Sequence, residues 1–292
     1  MTSIGVYTHA PSNDEIFYVG KGTPMRAKFL NRKDGKIQSL EQKCSREKLK
    51  VGVNVKIRKK NSMWVMPTYN RPRECARVLA QISNLGGHKE PLVIFLNGLD
   101  RTSEYQELLS KYPKDNLRLM AHDRNIGLCG ALRMAFYRYP TEKFYGLIHD
   151  DEYPLTENWE ARLIDTAGDW DLAHGNNRWT SHQKPHGILT LGGNLVRCVG
   201  NWAPKGLWHW YLDAYWENIA KRCGAYHQCK DVLIEERHYR NKLTEKDPTH
   251  EAGEALARED QEFFERWLRD LSSEGFLSIC ERVKKQKQGT SD

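Results

Sequence analysis

The sequence has no run approaching the ~20 apolar residues that a helix needs to cross a bilayer. Its 292 residues therefore read as a globular chain with no membrane partner. The opening MTSIGVYTHAPSNDE lacks a basic segment followed by an apolar run, which argues against a secretory leader and sets the expectation of a cytoplasmic protein. Seven cysteines (Cys44, Cys75, Cys129, Cys198, Cys223, Cys229, Cys280) are an odd number, scattered and without a close CxxC pair. That pattern suits reduced thiols better than a disulfide framework or a zinc site. Internal repeats, low-complexity linkers and heptad arrays are also missing, so neither a solenoid nor a coiled coil is expected. What the chain does have is an excess of positive charge, +7 at pH 7, concentrated in residues 21–60 and in the terminal RVKKQKQ. This suits a polyanionic partner or an anionic cofactor, and equally a pair of solvated faces.

The first 60 residues read as a separate unit. IGVYTHA and EIFYVGKG are β-type runs joined by the turn-rich PSND, SLEQKCSREKL is helical in composition, and VGVNVKIR alternates like an edge strand. Residues 61–275 change to a strand and helix repeat. MWVMPTY, PLVIFLNG, LRLMAHD and FYGLIHD are apolar strands, separated by the amphipathic stretches RPRECARVLAQISNL, TSEYQELLSKY and NIGLCGALRMAFYRY. Continuous apolar strands between helices imply an α/β layer structure with a mostly parallel sheet covered on both faces. After Trp159 the pattern loosens until the strand DVLIEERHY, and a helix ending near Gly275 precedes a basic tail, 276–292.

In such sheets ligands bind beyond the carboxyl ends of the strands. Three features fall there: the turn Pro67 to Pro72 after the first strand, Arg124-Asn125-Ile126-Gly127 after the third, and His149-Asp150-Asp151-Glu152 after the fourth. A helix start beside an arginine favours phosphate. A run of carboxylates with no basic neighbour in sequence favours a hard divalent cation. Together they describe a metal-bound diphosphate; the plainer alternative is that Asp150 and Asp151 cap the following loop and stay solvated.

VMPTYNRP, NIGLCGA and the strand ending in HDDEYPLTENW resemble, in this order, the nucleotide-sugar half of GT-A fold glycosyltransferases of the family 2 type. The resemblance implies a metal-dependent enzyme that takes a sugar from a nucleotide-sugar donor, a UDP-sugar by preference, with Mn²⁺ or Mg²⁺. Carried over by residue, Thr68 and Tyr69 line the nucleobase and ribose pocket, and Arg124, Asn125 and Gly127 lie near the donor phosphates. Asp151 is the direct metal ligand, Asp150 a ribose or water-mediated partner, and His149 stands where the usual motif has its first acid. Asp213 in HWYLDAYWENI is the candidate catalytic base of an inverting transfer, with Glu217 as the alternative. His238, after a strand, is the candidate late metal ligand. Gly192-Gly193, Trp208 and Trp210 flank the acceptor, since glycine admits close approach and indoles stack on sugars or bases; the competing view is that these aromatics fill the core.

The segment from LGGNL to ERHYRNKLTEKDPTHEA is similar to glycosyltransferases found in bacteriophages. IGVY, FYVGKG and Arg26 resemble the GIY-YIG nuclease domain, shortened by loss of its later helix. The combination implies transfer to a hydroxyl, foremost a hydroxymethylated pyrimidine in DNA, within an infected bacterial host. Lys21, Arg26, Lys28, Arg32 and Lys33 would hold a phosphate backbone. Alternatives are a surface-glycan acceptor, a nuclease, and a non-catalytic DNA-binding protein.

Overall fold

The computed structural model describes residues 62–289, apart from 88, 113–115, 178–187 and 272, and the backbone of two strands nearer the N-terminus. Those two, β1 (Val6–Ala10) and β2 (Glu15–Val19), pair antiparallel with Val6 opposite Val19 and Ala10 opposite Glu15. This is the hairpin expected around PSND. The remaining expectations for residues 1–60, including the nuclease-like unit and its basic surface, lie outside the described residues.

From Met63 the alternation is realised as β3 (Met63–Thr68), α1 (Pro72–Asn84), β4 (Leu92–Asn97), α2 (Thr102–Leu109), β5 (Leu117–His122), α3 (Gly127–Arg138) and β6 (Phe144–Leu147). Pro72 starts α1, where a missing N–H costs nothing. These strands pair in parallel in the order β5-β4-β3-β6. The chain winds outward from β3 to β5 and then returns to the other side of β3, so the β3/β6 boundary is a topological switch point. β3 feeds both faces: Met63 and Val65 enter one core cluster with α3, while Trp64 and Met66 enter the other with α1. Every residue of β4 is buried, and each large aliphatic there contributes about 1.5–3 kcal/mol.

Beyond β6 come β7 (Glu152–Pro154), α4 (Trp159–Ala167), β8 (Leu172–Asn177), β9 (Leu189–Gly192), α5 (Gly193–Val199), α6 (Leu212–Cys223), β10 (Tyr226–Glu236), α7 (Pro248–Ala255), α8 (Ala257–Asp270) and α9 (Glu274–Gly289). They extend the sheet as β6-β9-β8-β10-β7, with only β9 and β7 running against the rest. The mostly parallel sheet is as expected. Two features differ. LAHGNN and LTLG are strands despite weak β patterning, because both are buried between neighbours on either side. Residues 276–289 of the basic tail lie in helix α9, whose Phe276, Cys280 and Val283 are buried while Lys284 and Lys285 are exposed. No helix among the described residues is long and apolar enough to cross a membrane.

Candidate active site

At the end of β6 the amide of Ile148 still bonds to Val65 O (3.1 Å), and the chain then turns with Glu152 N on His149 O (3.3 Å). The turn lifts Asp150 and Asp151 to the switch point. The positive group among these acids is Arg71, from the turn after β3, and it is only 6% exposed. Its Nη1 donates to Asp150 Oδ1 at 2.8 Å and lies 3.7 Å from Asp151 Oδ2, while its Nε lies 3.1 Å from Asp247 Oδ2. Burial works against the guanidinium charge, but Asp150, Asp151 and Asp247 together raise its pKa above the ordinary value. Asp150 Oδ2 accepts from Thr68 Oγ1 (2.7 Å), and Thr68 also shares a hydrogen bond with Tyr105 OH (2.7 Å), which in turn accepts from Arg71 N (2.9 Å). Both oxygens of Asp150 are thus engaged, as is the hydroxyl of Thr68. In this arrangement Asp150 is held between Arg71 and Thr68, with Tyr105 behind the threonine.

Asp151 is different. It shares no short side-chain bond with Arg71, and burial, Asp150 and Glu236 push its pKa up to about 7. Glu152 stands opposite Glu236 across the β7/β10 ladder, an unfavourable pairing of like charges. Burial and Asp151 hold the Glu152 carboxyl well above its usual range, and it accepts from His149 N at 2.9 Å. Asn177 Nδ2 donates to Glu236 (2.8 Å).

Facing Asp151 are His238, just after β10, and His250 in α7. One donor atom from each of the three lies within 4.8 Å of the others. His238 was expected and His250 was not. Burial and the neighbouring His250 lower His238 to about 4, and burial likewise lowers His250, so both imidazoles are neutral near pH 7. The buried Nε2 of His250 makes no hydrogen bond. Neutral imidazoles, an orphaned ring nitrogen and a carboxylate with a raised pKa form a donor set in want of a cation. Two nitrogens with one oxygen suit Mn²⁺ better than Mg²⁺, which takes oxygen ligands.

The other expected residues divide. Trp208 is 36% exposed, and Trp210 is half-buried, its indole donating to Gly253 O (2.8 Å) while the Arg240 guanidinium covers its ring at 4.6 Å. Arg240 and Gly253 tie this aromatic loop to the His238 and His250 segments. Asp213 sits half-buried in the first turn of α6, directly after the loop. The loop itself is clamped by Asp260 of α8, 1% exposed, whose carboxylate accepts from the amides of Trp208, His209 and Trp210 at 2.7, 2.8 and 2.7 Å. Trp202, by contrast, is core, packed on Tyr145.

Tyr69 lies half-buried against Gly98 at the mouth of β4. Arg124, Asn125 and Gly127 lie at the start of α3, but the amides of Ile126, Gly127 and Cys129 are taken by Asn97 Oδ1 (2.8 Å), Asn125 Oδ1 (2.9 Å) and Trp208 O (2.9 Å). These backbone donors bind the protein's own oxygens. Gly193 departs from expectation. Register sets Gly192 opposite Phe144, the first residue of β6, so Gly193 lies at the opposite end of the sheet from the carboxylates. A Cβ there would come within 1.9 Å of Glu142 O, so the missing side chain admits the neighbouring backbone and not an acceptor.

No protein-family model and no curated protein sequence matches this chain. Among solved structures, the mannosyltransferase PcManGT from Pyrobaculum calidifontis, in complex with GDP-Man and Mn²⁺, aligns with 60% of this chain and 56% of its own at a TM-score of 0.50 and 18% identity. GalNAc-T7 with UDP, GalNAc and Mn²⁺ aligns with 60% of this chain and 43% of its own (TM-score 0.48, 10% identity). S. aureus TarS 1-349 aligns with 60% of this chain and 59% of its own (TM-score 0.47, 14% identity). The chain thus spans 43% to 59% of the length of these proteins. The likeness is one of fold, and the first of them shares with this chain a mixed α/β architecture.

Proposed function

We propose that this protein is a metal-dependent glycosyltransferase that moves a sugar from a nucleotide-sugar donor to a hydroxyl. The observation that carries the reading is the convergence of Asp151, His238 and His250 beyond the carboxyl ends of the strands at the switch point of the sheet. The GDP-Man and Mn²⁺ bound by PcManGT, which shares the fold, agree with it. Asp151, His238 and His250 would hold Mn²⁺, which when bound supplies positive charge to a departing diphosphate. Tyr69 offers a ring face to the nucleobase, and the Arg124 side chain a guanidinium to the diphosphate. Trp208 and Trp210 offer the acceptor a stacking surface. Asp213 takes the proton of the acceptor hydroxyl as its oxygen attacks the anomeric carbon, with inversion, and the nucleoside diphosphate leaves. A UDP-sugar is the preferred donor. A hydroxymethylated pyrimidine in DNA is the preferred acceptor, on the strength of the net charge of +7 and the hairpin sequence, and a base within a duplex would have to be flipped out.

The test is incubation with Mn²⁺, UDP- and GDP-sugars, and DNA containing or lacking hydroxymethylcytosine, followed by mass spectrometry of the nucleosides and assay of free nucleotide. A hexose-shifted nucleoside that vanishes in Asp151→Asn is the expected result. Nucleotide release that depends on Asp151 without a shifted nucleoside retains the enzyme and rejects the DNA acceptor. Neither product from any donor rejects the proposal.

A further inference from the structure

We propose that Cys223 and Cys280 are a redox pair, two thiols that hydrogen peroxide closes into a disulfide joining α9 to α6. The inference stands apart from the proposed reaction. All six cysteines among the described residues are free thiols. Two of them meet: the S–H of Cys223, the last residue of α6, donates to the sulfur of Cys280 in α9, with the sulfurs 3.1 Å apart. Both are buried, at 3% and 6% exposure. A disulfide bond is ~2.05 Å long, so the sulfurs need to close by only about 1 Å. Cys75 and Cys229 are placed differently, donating to Met66 Sδ (3.7 Å) and Thr166 Oγ1 (3.3 Å).

Contacts on either side hold the pair in place. Phe276, Cys280, Val283 and Lys287 recur at helical spacing along one face of α9. The Arg222 guanidinium of α6 covers the Phe276 ring at 5.8 Å, Val283 is fully buried, and Lys287 Nζ donates to Asp171 Oδ1 at 2.5 Å. Cys280 thus sits between anchored positions and not on a free helix end. Burial raises the pKa of Cys223 and of the half-buried Cys198 in α5, and each also feels the charge of Cys280. Cys198, the most exposed of the three, is the competitor for the oxidant. The chemistry balances with peroxide. One thiol takes an oxygen from it and becomes a sulfenic acid, releasing water; the other sulfur then displaces that oxygen as a second water, and the S–S bond forms. The two thiols lose two electrons and two protons between them. The bond spans 57 residues of chain and ties the end of α6, whose first turn carries Asp213, to α9.

The full chain is treated with hydrogen peroxide, remaining thiols are blocked with iodoacetamide, and tryptic peptides are read by mass spectrometry without reduction. Tm is measured against a sample kept in dithiothreitol. The expected product is a cross-link between residues 223–230 and 270–282, two hydrogens lighter than the separate peptides. The first peptide also carries Cys229, so fragmentation assigns the sulfur. Closing so long a loop should raise Tm by roughly 5–15 °C. The rise should be lost in Cys223→Ala and in Cys280→Ala and kept in Cys198→Ser. Comparing oxidised with reduced samples of one variant cancels any effect of the substitution on folding. Free thiols at both positions after peroxide, a bridge through Cys198 or Cys229, or a rise in Tm that persists in both alanine variants overturns the proposal. A Cys223–Cys280 cross-link that leaves Tm unchanged or lower also overturns it, since such a bond would have formed in an opened chain.

Discussion

Removing the Asp260 carboxylate tests how the acceptor side of the site is held. Three consecutive amides, from Trp208, His209 and Trp210, converge on its two oxygens at 2.7–2.8 Å. Asp260→Ala orphans all three, and each buried amide left unsatisfied costs about 1–3 kcal/mol. Water reaches part of the loop, since Trp208 and His209 are exposed, so the total belongs at the lower end, about 3–5 kcal/mol. At 2–4 °C per kcal/mol for a folded unit of this size, Tm should fall by roughly 6–20 °C. Asp260→Asn keeps one acceptor oxygen, turns an amide toward the third N–H, and should lie between the two. The loop also rests its Trp208 carbonyl on Cys129 N, so loosening it should expose indole and increase quenching of tryptophan fluorescence by acrylamide. Calorimetry and quenching on the two variants decide the matter: if Ala and Asn both melt within about 1 °C of the wild type, the clamp does not hold the loop.

Three further outcomes follow from the same contacts. Asp151, at about 7 in the folded chain against roughly 3.9 unfolded, binds its extra proton in the folded state, so its contribution to stability falls as pH rises between those values; His238, at about 4 against roughly 6.5, acts in the opposite sense below pH 6.5. Mn²⁺ in the cluster would replace the Asp151 proton, so the rise in Tm that it produces should grow from about pH 6 to 8, and an increment independent of pH in differential scanning fluorimetry would refute this. Asp150→Asn removes one partner of a buried ion pair and should cost about 3–5 kcal/mol in urea unfolding, whereas a loss below ~1 kcal/mol would mean that Arg71 is held by Asp247 and Asp151 alone. Gly127→Ala asks an L-residue to adopt φ +74° and sets a Cβ 2.5 Å from Trp208 O, so a loss of at least about 2 kcal/mol is expected, measured by the same unfolding.

The parallel run β5-β4-β3-β6 was legible because its signals are local. MWVMPT, LVIFLN and LRLMAH are apolar runs of strand length, each followed by a helix with a buried stripe, and burial on both faces of the sheet needs no partner identity to be read. β8 and β9 were not legible. LAHGNN holds a glycine, a histidine and two asparagines, and it is a strand because β9 and β10 lie on either side of it, a tertiary fact that outweighs local propensity. The basic RVKKQKQ likewise concealed α9, where Phe276, Cys280 and Val283 recur at helical spacing beneath the lysines.

In the site, the carboxylate cluster was visible and its balance was not. Arg71 is 79 residues from Asp150, so no inspection of residues 149–152 reveals the cation among them. The guanidinium divides them. Asp150, bonded to Arg71 and Thr68, carries a charge already neutralised, whereas Asp151, 3.7 Å from the same guanidinium and set against two neutral imidazoles, remains to be balanced. One signal for the missing ligand was within reach. Asp247-Pro248-Thr249-His250 has the form of a helix start, a cap followed by proline at the first helical position, and the third helical residue of such a box turns its side chain back toward the cap. A histidine there, with a carboxylate fixed beside its ring, is a positioned imidazole before any tertiary contact is known, and it outranks the lone histidines elsewhere in the chain as a ligand candidate.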